Sequence, residues 1–176
     1  MEEVWKNKFK NKEVKFPNDI AIEYCNQLYE LTNKMVIAKV EKYEKNIYDM
    51  DTVSPIANLA GVSNLLRTTK VEEYLGEISG SDRFTYELYI TGSNTPKYKY
   101  RFCFIENGVY PYPVKIIVDS DIAKELDSET RINCESETIY KEILAKILNS
   151  KKMNEVIEGL MTINSKINNE QIIGGA

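Results

Sequence analysis

The stretch from Phe84 to Ser120 constrains this chain most. Three successive runs in it alternate with the period of two that marks half-buried strands. In the first, Phe84, Tyr86, Leu88 and Ile90 share one face, and Thr85, Glu87, Tyr89 and Thr91 the other. In the second, Tyr98, Tyr100, Phe102 and Phe104 oppose Lys99, Arg101, Cys103 and Ile105. In the third, Tyr110, Tyr112, Val114, Ile116 and Val118 fall on one side. The pattern predicts an antiparallel meander.

Its register follows from requiring one buried face to collect the large apolar side chains. A two-residue turn at Asn107-Gly108 would set Ile105 against Tyr110 and Arg101 against Val114, dividing the aromatic rows between the two sides. A three-residue loop with Gly108 in the left-handed conformation instead places Phe104 opposite Tyr110, Phe102 opposite Tyr112, Tyr100 opposite Val114 and Tyr98 opposite Ile116. That arrangement is the expected one. The segment from Gly92 to Lys97, with Asn94 and Pro96, reads as a longer polar loop. Pairing Leu88 with Tyr100 then sets Glu87 opposite Arg101, and the three-residue loop sets Lys99 opposite Lys115, on a wet outer face. Pro111 and Pro113 lack N–H donors, which makes at least the first half of the third strand a sheet edge.

The flanks supply the helices. Pro17-Asn18-Asp19 starts one, with Ala21, Tyr24, Cys25, Leu28, Leu31 and Met35 at helical spacing and Asn33 as its stop. Val36 to about Tyr43 alternates as a strand. Patterning is weak over 44–70, where Ser54-Pro55 opens a short helix at 55–60, and a further strand follows at 71–78. After Val118 come a helical turn through Leu126 and a strand at 131–134. Ser136 caps an amphipathic helix bearing Ile139, Tyr140, Ile143, Leu144, Ile147 and Leu148, and Ser150 a second bearing Met153, Val156, Ile157, Leu160 and Met161. The predicted fold is α+β: an antiparallel sheet of four to five strands, with the meander at 84–118 central and N- and C-terminal helices on one face. Residues 17–164 form its single domain. Residues 1–16 are expected to be a loosely attached arm, with Trp5 and Phe9 on one helical turn, and 165–176 a disordered tail.

Composition narrows the chemistry. Among 176 residues there is no histidine, which removes Ser-His-Asp and Cys-His arrangements, His-containing zinc sites and histidine general bases. No phosphate-binding glycine loop or dinucleotide fingerprint occurs, and no cofactor is implied. Cys25, Cys103 and Cys134 are far apart and form no Cys-x-x-Cys pair, as reduced thiols of a cytoplasmic protein would be. The first residues are too charged for a signal peptide, and no apolar run approaches the roughly 20 residues of a membrane span. A richness in Lys, Asn, Ile and Tyr reads as the bias of an AT-rich bacterial or phage genome.

Three functional readings remain. Asp119 and Asp121 could hold Mg²⁺ for work on a phosphate ester or nucleotide, with Glu125 or Glu106 contributing, although Asp-x-Asp more commonly ends a strand and caps the next turn. The aromatic row of the second strand, interleaved with Lys99 and Arg101, could stack the bases of single-stranded nucleic acid, but its periodicity suits a core face and the net charge of −4 disfavours that partner. The preferred reading is a non-catalytic protein-binding module of inhibitor, immunity or adaptor type. Its outer face would present Tyr89, Lys99, Arg101 and Lys115 beside Glu87 to another protein.

Overall fold

A helix, a strand and then a hairpin set the frame. The structure, a computed structural model, describes residues 15–45, 47 and 83–173, with side chains to 167. Residues 1–14 of the expected arm at 1–16, the helix at 55–60, the strand at 71–78 and residues 174–176 of the tail lie outside these. Helix α1 (Pro17–Leu31) begins with proline in its first turn, where no N–H is needed, and the Asp19 carboxylate accepts the Phe16 N–H at 3.1 Å. It ends at Thr32, after which Asn33 and Lys34 take left-handed backbone angles, φ 49° and 66°. The Thr32 hydroxyl donates to Leu28 O and accepts from Val36 N–H, stitching the helix end to β1 (Val36–Lys42).

Strands β2 (Phe84–Gly92), β3 (Thr95–Asn107), β4 (Val114–Val118) and β5 (Arg131–Cys134) complete a five-stranded antiparallel sheet in the order β1-β2-β3-β4-β5. Helix α2 (Ser120–Glu125) sits between β4 and β5, and α3 (Glu137–Leu148) and α4 (Lys151–Ile173) close the chain. All four described helices contribute to one core: Ile20 and Cys25 of α1, Ile122 and Ala123 of α2, Tyr140, Leu144 and Ile147 of α3, and Met153 and Leu160 of α4. They meet the inner sheet face of Val36, Ala38, Leu88, Ile90, Ile105, Val114, Ile116 and Val118. The fully buried Tyr140 donates its hydroxyl to Pro17 O at 2.9 Å, tying α3 to the start of α1. This is the α+β architecture that the alternation and the caps at Pro17, Ser136 and Ser150 predict.

The meander's register differs from the expectation, and one bulge explains most of the difference. Leu88 pairs with Cys103, but the next residue, Tyr89, pairs with Arg101, so Phe102 is the extra residue of a β-bulge. Phe102 and Cys103, adjacent in sequence, are both buried in the core. Parity inverts there. Tyr100 and Phe102 face the helices, whereas beyond the bulge Cys103, Ile105 and Asn107 do, and Phe104 and Glu106 turn outward. Glu87 therefore pairs with Phe104, not Arg101.

On the other side of β3, Phe104 pairs with Ile117, Ile105 with Ile116 and Asn107 with Val114. The three-residue loop and the pairs Phe104–Tyr110, Phe102–Tyr112, Tyr100–Val114 and Tyr98–Ile116 are therefore wrong. Tyr110, Tyr112, Pro111 and Pro113 belong to a connection over 108–113, and β4 lies between β3 and β5 rather than at an edge. The hairpin at Gly92 is also tighter than expected, with Gly92 paired to Thr95 across Ser93 and Asn94. Residues 96–99 of β3 then stand against the single residue Thr91. Helix α4 continues through Ile173, past the Ser165 at which composition predicts a disordered tail.

That helix holds the hairpin through Asn164. Its fully buried amide accepts the Asn94 N–H at 2.7 Å and donates to Leu160 O at 2.7 Å. A Cβ at Gly92 would overlap the Asn164 amide and the Thr95 hydroxyl. Because two hydrogen bonds fix that amide, it cannot yield without losing them. Gly92→Ala and Asn164→Ala are each expected to lower unfolding free energy by about 1–3 kcal/mol in urea titrations. Together they should cost less than the sum, since both act on one contact; strict additivity would contradict the coupling.

Candidate functional site

The outer face of the sheet is built from side chains that the bulge brings into rows. One row across β1, β2 and β3 is Lys39, Tyr89 and Arg101; the next is Glu41, Glu87, Phe104, Ile117 and Arg131; a third is Thr85, Glu106, Lys115 and Asn133. Glu41 thus sits directly opposite Glu87, and like charges so placed repel. Cations from β3 offset this. The Arg101 guanidinium grips Glu87 with Nε at 2.7 Å and an Nη at 2.6 Å, and Lys99 donates to the other carboxylate oxygen. Glu87 is 8% exposed at its side chain, whereas Lys99 and Arg101 are each 35% exposed.

Aromatic rings fix the cations further. Lys99 Nζ lies 3.9 Å from the centre of the Tyr89 ring, an attraction of about 0.5–1 kcal/mol at a partly exposed site. Arg101 lies 5.0 Å from Phe104 and 5.4 Å from Tyr43, whose rings meet edge to face at 4.9 Å. Phe104, expected in the core, is thus the floor beneath Arg101. Burial, together with a hydrogen bond to Glu41 and the nearby charges of Glu41 and Glu87, pushes the Tyr89 hydroxyl up to about 12, so it stays protonated near neutral pH.

The structure brings Glu87, Tyr89, Lys99 and Arg101 together, as the alternation of β2 and β3 predicts. It places Lys115 elsewhere. Lys115 does not face Lys99 but Glu106 and Asn133, at a second node where Glu106 binds Arg83 at 2.7 Å and Lys115 at 4.0 Å. Glu41, Tyr43, Phe104 and Arg83 complete these nodes and escaped the sequence reading, because their roles follow from a register that alternation alone does not give.

The carboxylates considered for a metal have other occupations. Asp119 is the N-cap of α2, its Oδ1 accepting Asp121 N–H at 2.9 Å and Ile122 N–H at 3.4 Å. Asp121 pairs with Lys124 at 3.4 Å and Lys152 at 3.5 Å, which hold it below the usual carboxylate range. Glu125 accepts the Lys151 N–H at 2.6 Å at the start of α4. Among the described residues no group of three or more Asp, Glu or Cys is arranged to hold a metal ion. The three thiols are buried, and burial pushes Cys25 up to about 12, Cys134 up to about 11 and Cys103 well above its ordinary value, so none is an accessible thiolate. Among the described residues no helix is long and apolar enough to cross a membrane. Comparison with family models, curated proteins and solved structures finds no match.

For Glu87, burial alone would raise the carboxyl, but hydrogen bonds from Lys99 and Arg101 outweigh it and hold the group below its ordinary value. A depressed folded-state value contributes stability that is present above the unfolded value and is lost as pH falls through the folded one. Glu87→Gln should therefore cost about 1–3 kcal/mol at neutral pH, between the ranges of exposed and buried pairs. The difference from the parent should shrink as pH is lowered through and below the carboxylate range. Urea titrations across pH check this, and a gap that does not change with pH would show that charge is not the cause.

Proposed function

We propose that the chain is a non-catalytic binding module of inhibitor, immunity or adaptor type, and that it meets another protein through the outer sheet face. The observation that carries this reading is the pair of cations held by Glu87. Lys99 and Arg101 are partly exposed, each is bonded to a carboxylate beneath it, and each lies against an aromatic ring. Side chains already fixed in this way lose little conformational entropy on association, and Arg and aromatic residues are the usual anchors of protein interfaces. The four described helices are all engaged on the opposite face.

Lys99 and Arg101 reach solvent above Glu87 and Tyr89, and Lys115 reaches it above Glu106 at the second node. Lys39 and Glu41, about half exposed, extend the surface across β1. A surface whose outermost groups are mainly cationic over a buried layer of anions fits an acidic partner surface.

Affinity capture from cells of the source, with the wild-type chain and Arg101→Glu compared, tests the proposal. A protein should be retained by the wild type and bound at least about tenfold more weakly by the variant, the scale of a lost interface anchor. Binding should weaken with added salt, but less steeply than binding to a phosphate backbone. Equal retention by both chains, or recovery of nucleic acid with steep salt dependence, would overturn it.

A further inference from the structure

Strand β3 outruns its neighbour. It spans Thr95–Asn107, but β4 pairs only with residues 103–107. The Asp119 N–H donates to Phe102 O at 2.9 Å, and the Asp119 carboxylate then caps α2, which takes the chain away from the sheet. Residues 95–101 therefore have β2 along one edge, and among the described residues no strand along the other. Pro96, Lys97, Tyr98 and Lys99 on this stretch are exposed. An accessible row of backbone N–H and C=O groups with no strand beside it is a template for one more strand.

Proline and lysine on an edge ordinarily guard it against pairing. Here the guard is selective by charge. A second copy of the strand would set Lys and Arg against Lys and Arg, and like charges directly opposite one another destabilise a strand pair. An acidic strand meets the reverse. Lys99 and Arg101 reach back towards β2, where both bind Glu87 and Lys99 covers the Tyr89 ring, so they mark the outer face without closing the open edge. Arg101 gives Glu87 its Nε and one Nη. Its other Nη, like the Lys97 ammonium, has no carboxylate partner among the described residues. Tyr98, 46% exposed, and the half-buried Tyr100 occupy the alternate positions. A strand added here is thus offered cations on one face and aromatic rings on the other.

We infer that the partner engages this edge by strand addition. An extended segment alternating acidic with apolar residues pairs its backbone with residues 97–101 of β3. Its carboxylates lie beside Lys97, Lys99 and Arg101, and its apolar side chains beside Tyr98 and Tyr100. The inference rests on the protein-binding reading of the outer face and specifies the chemistry of the partner.

The probe is a blocked peptide of roughly seven residues, an ordinary strand length, alternating Glu with Val and titrated into the full ¹⁵N-labelled chain at low salt. A Lys-with-Val peptide controls for charge. Two further versions of the Glu peptide carry backbone N-methyl groups, one on its Glu nitrogens and one on its Val nitrogens. Alternate N–H groups of a strand point to opposite edges, so only one methylated set faces β3.

The Glu peptide should give saturable shifts at residues 97–101 with Kd below about 1 mM. One methylated version should bind at least about tenfold more weakly, and the other like the parent peptide. Lys97→Glu, at an exposed position that keeps its fold, should weaken the parent peptide at least roughly fivefold. No saturable shift up to about 10 mM peptide would overturn the inference. So would equal binding of the Lys peptide, equal behaviour of the two methylated versions, or unchanged affinity in Lys97→Glu. The protein-binding reading is judged separately, by Arg101→Glu in the capture experiment. A captured partner lost from Arg101→Glu, together with methylated peptides that bind alike, would keep the outer face as the site and remove strand addition.

Discussion

The bulge at Phe102 is the constraint on which the rest of the structure depends. One extra residue in β3 lets Phe102 and Cys103 both enter the core, and it reverses the sidedness of everything that follows along the strand. Ile105 then meets Ile116 beneath the helices, while Phe104 and Glu106 pass to the outer face. Without that reversal, Arg101 would lose Phe104 as its floor, and Glu106 would be driven into the apolar core without Arg83 or Lys115 to pair with it. A charge in that position would cost several kcal/mol.

The two sheet faces consequently hold together by different physics. The inner face is apolar packing from four helices, pinned at its ends by single hydrogen bonds, Tyr140 O–H to Pro17 O and Asn94 N–H to Asn164 Oδ1. The outer face is a set of ion pairs in which each buried carboxylate, Glu87 and Glu106, is shared by two cations. Removing Glu87 would leave Lys99 and Arg101 crowded together on β3.

How much of this was legible in the sequence follows from how local each signal is. Helix α1 was readable because Pro17 and Asp19 act within a single turn, and α3 because the Ser136 hydroxyl meets the Ile139 N–H three residues on. The co-location of Glu87, Tyr89, Lys99 and Arg101 was readable because Glu87 and Tyr89 are two apart on β2, as Lys99 and Arg101 are on β3, although the pairing between the strands was not. The β3–β4 register was not. Large apolar residues at Tyr110 and Tyr112 mimic a continuing strand, and nothing local marks Phe102 as the residue that breaks alternation. The length of α4 was missed because its last turns are polar, and its packing contact, Asn164 against the Gly92 hairpin, is distant in sequence.

The central claim is that the bulge fixes which side chains form the outer cluster. Nuclear Overhauser contacts between backbone protons of β2 and β3 in solution test it most directly. Contacts placing Leu88 opposite Cys103 and Tyr89 opposite Arg101 are expected, together with contacts between the Phe104 and Tyr43 rings. An unbroken register with Leu88 opposite Tyr100 and Glu87 opposite Arg101, and Phe104 among the core side chains, would contradict it.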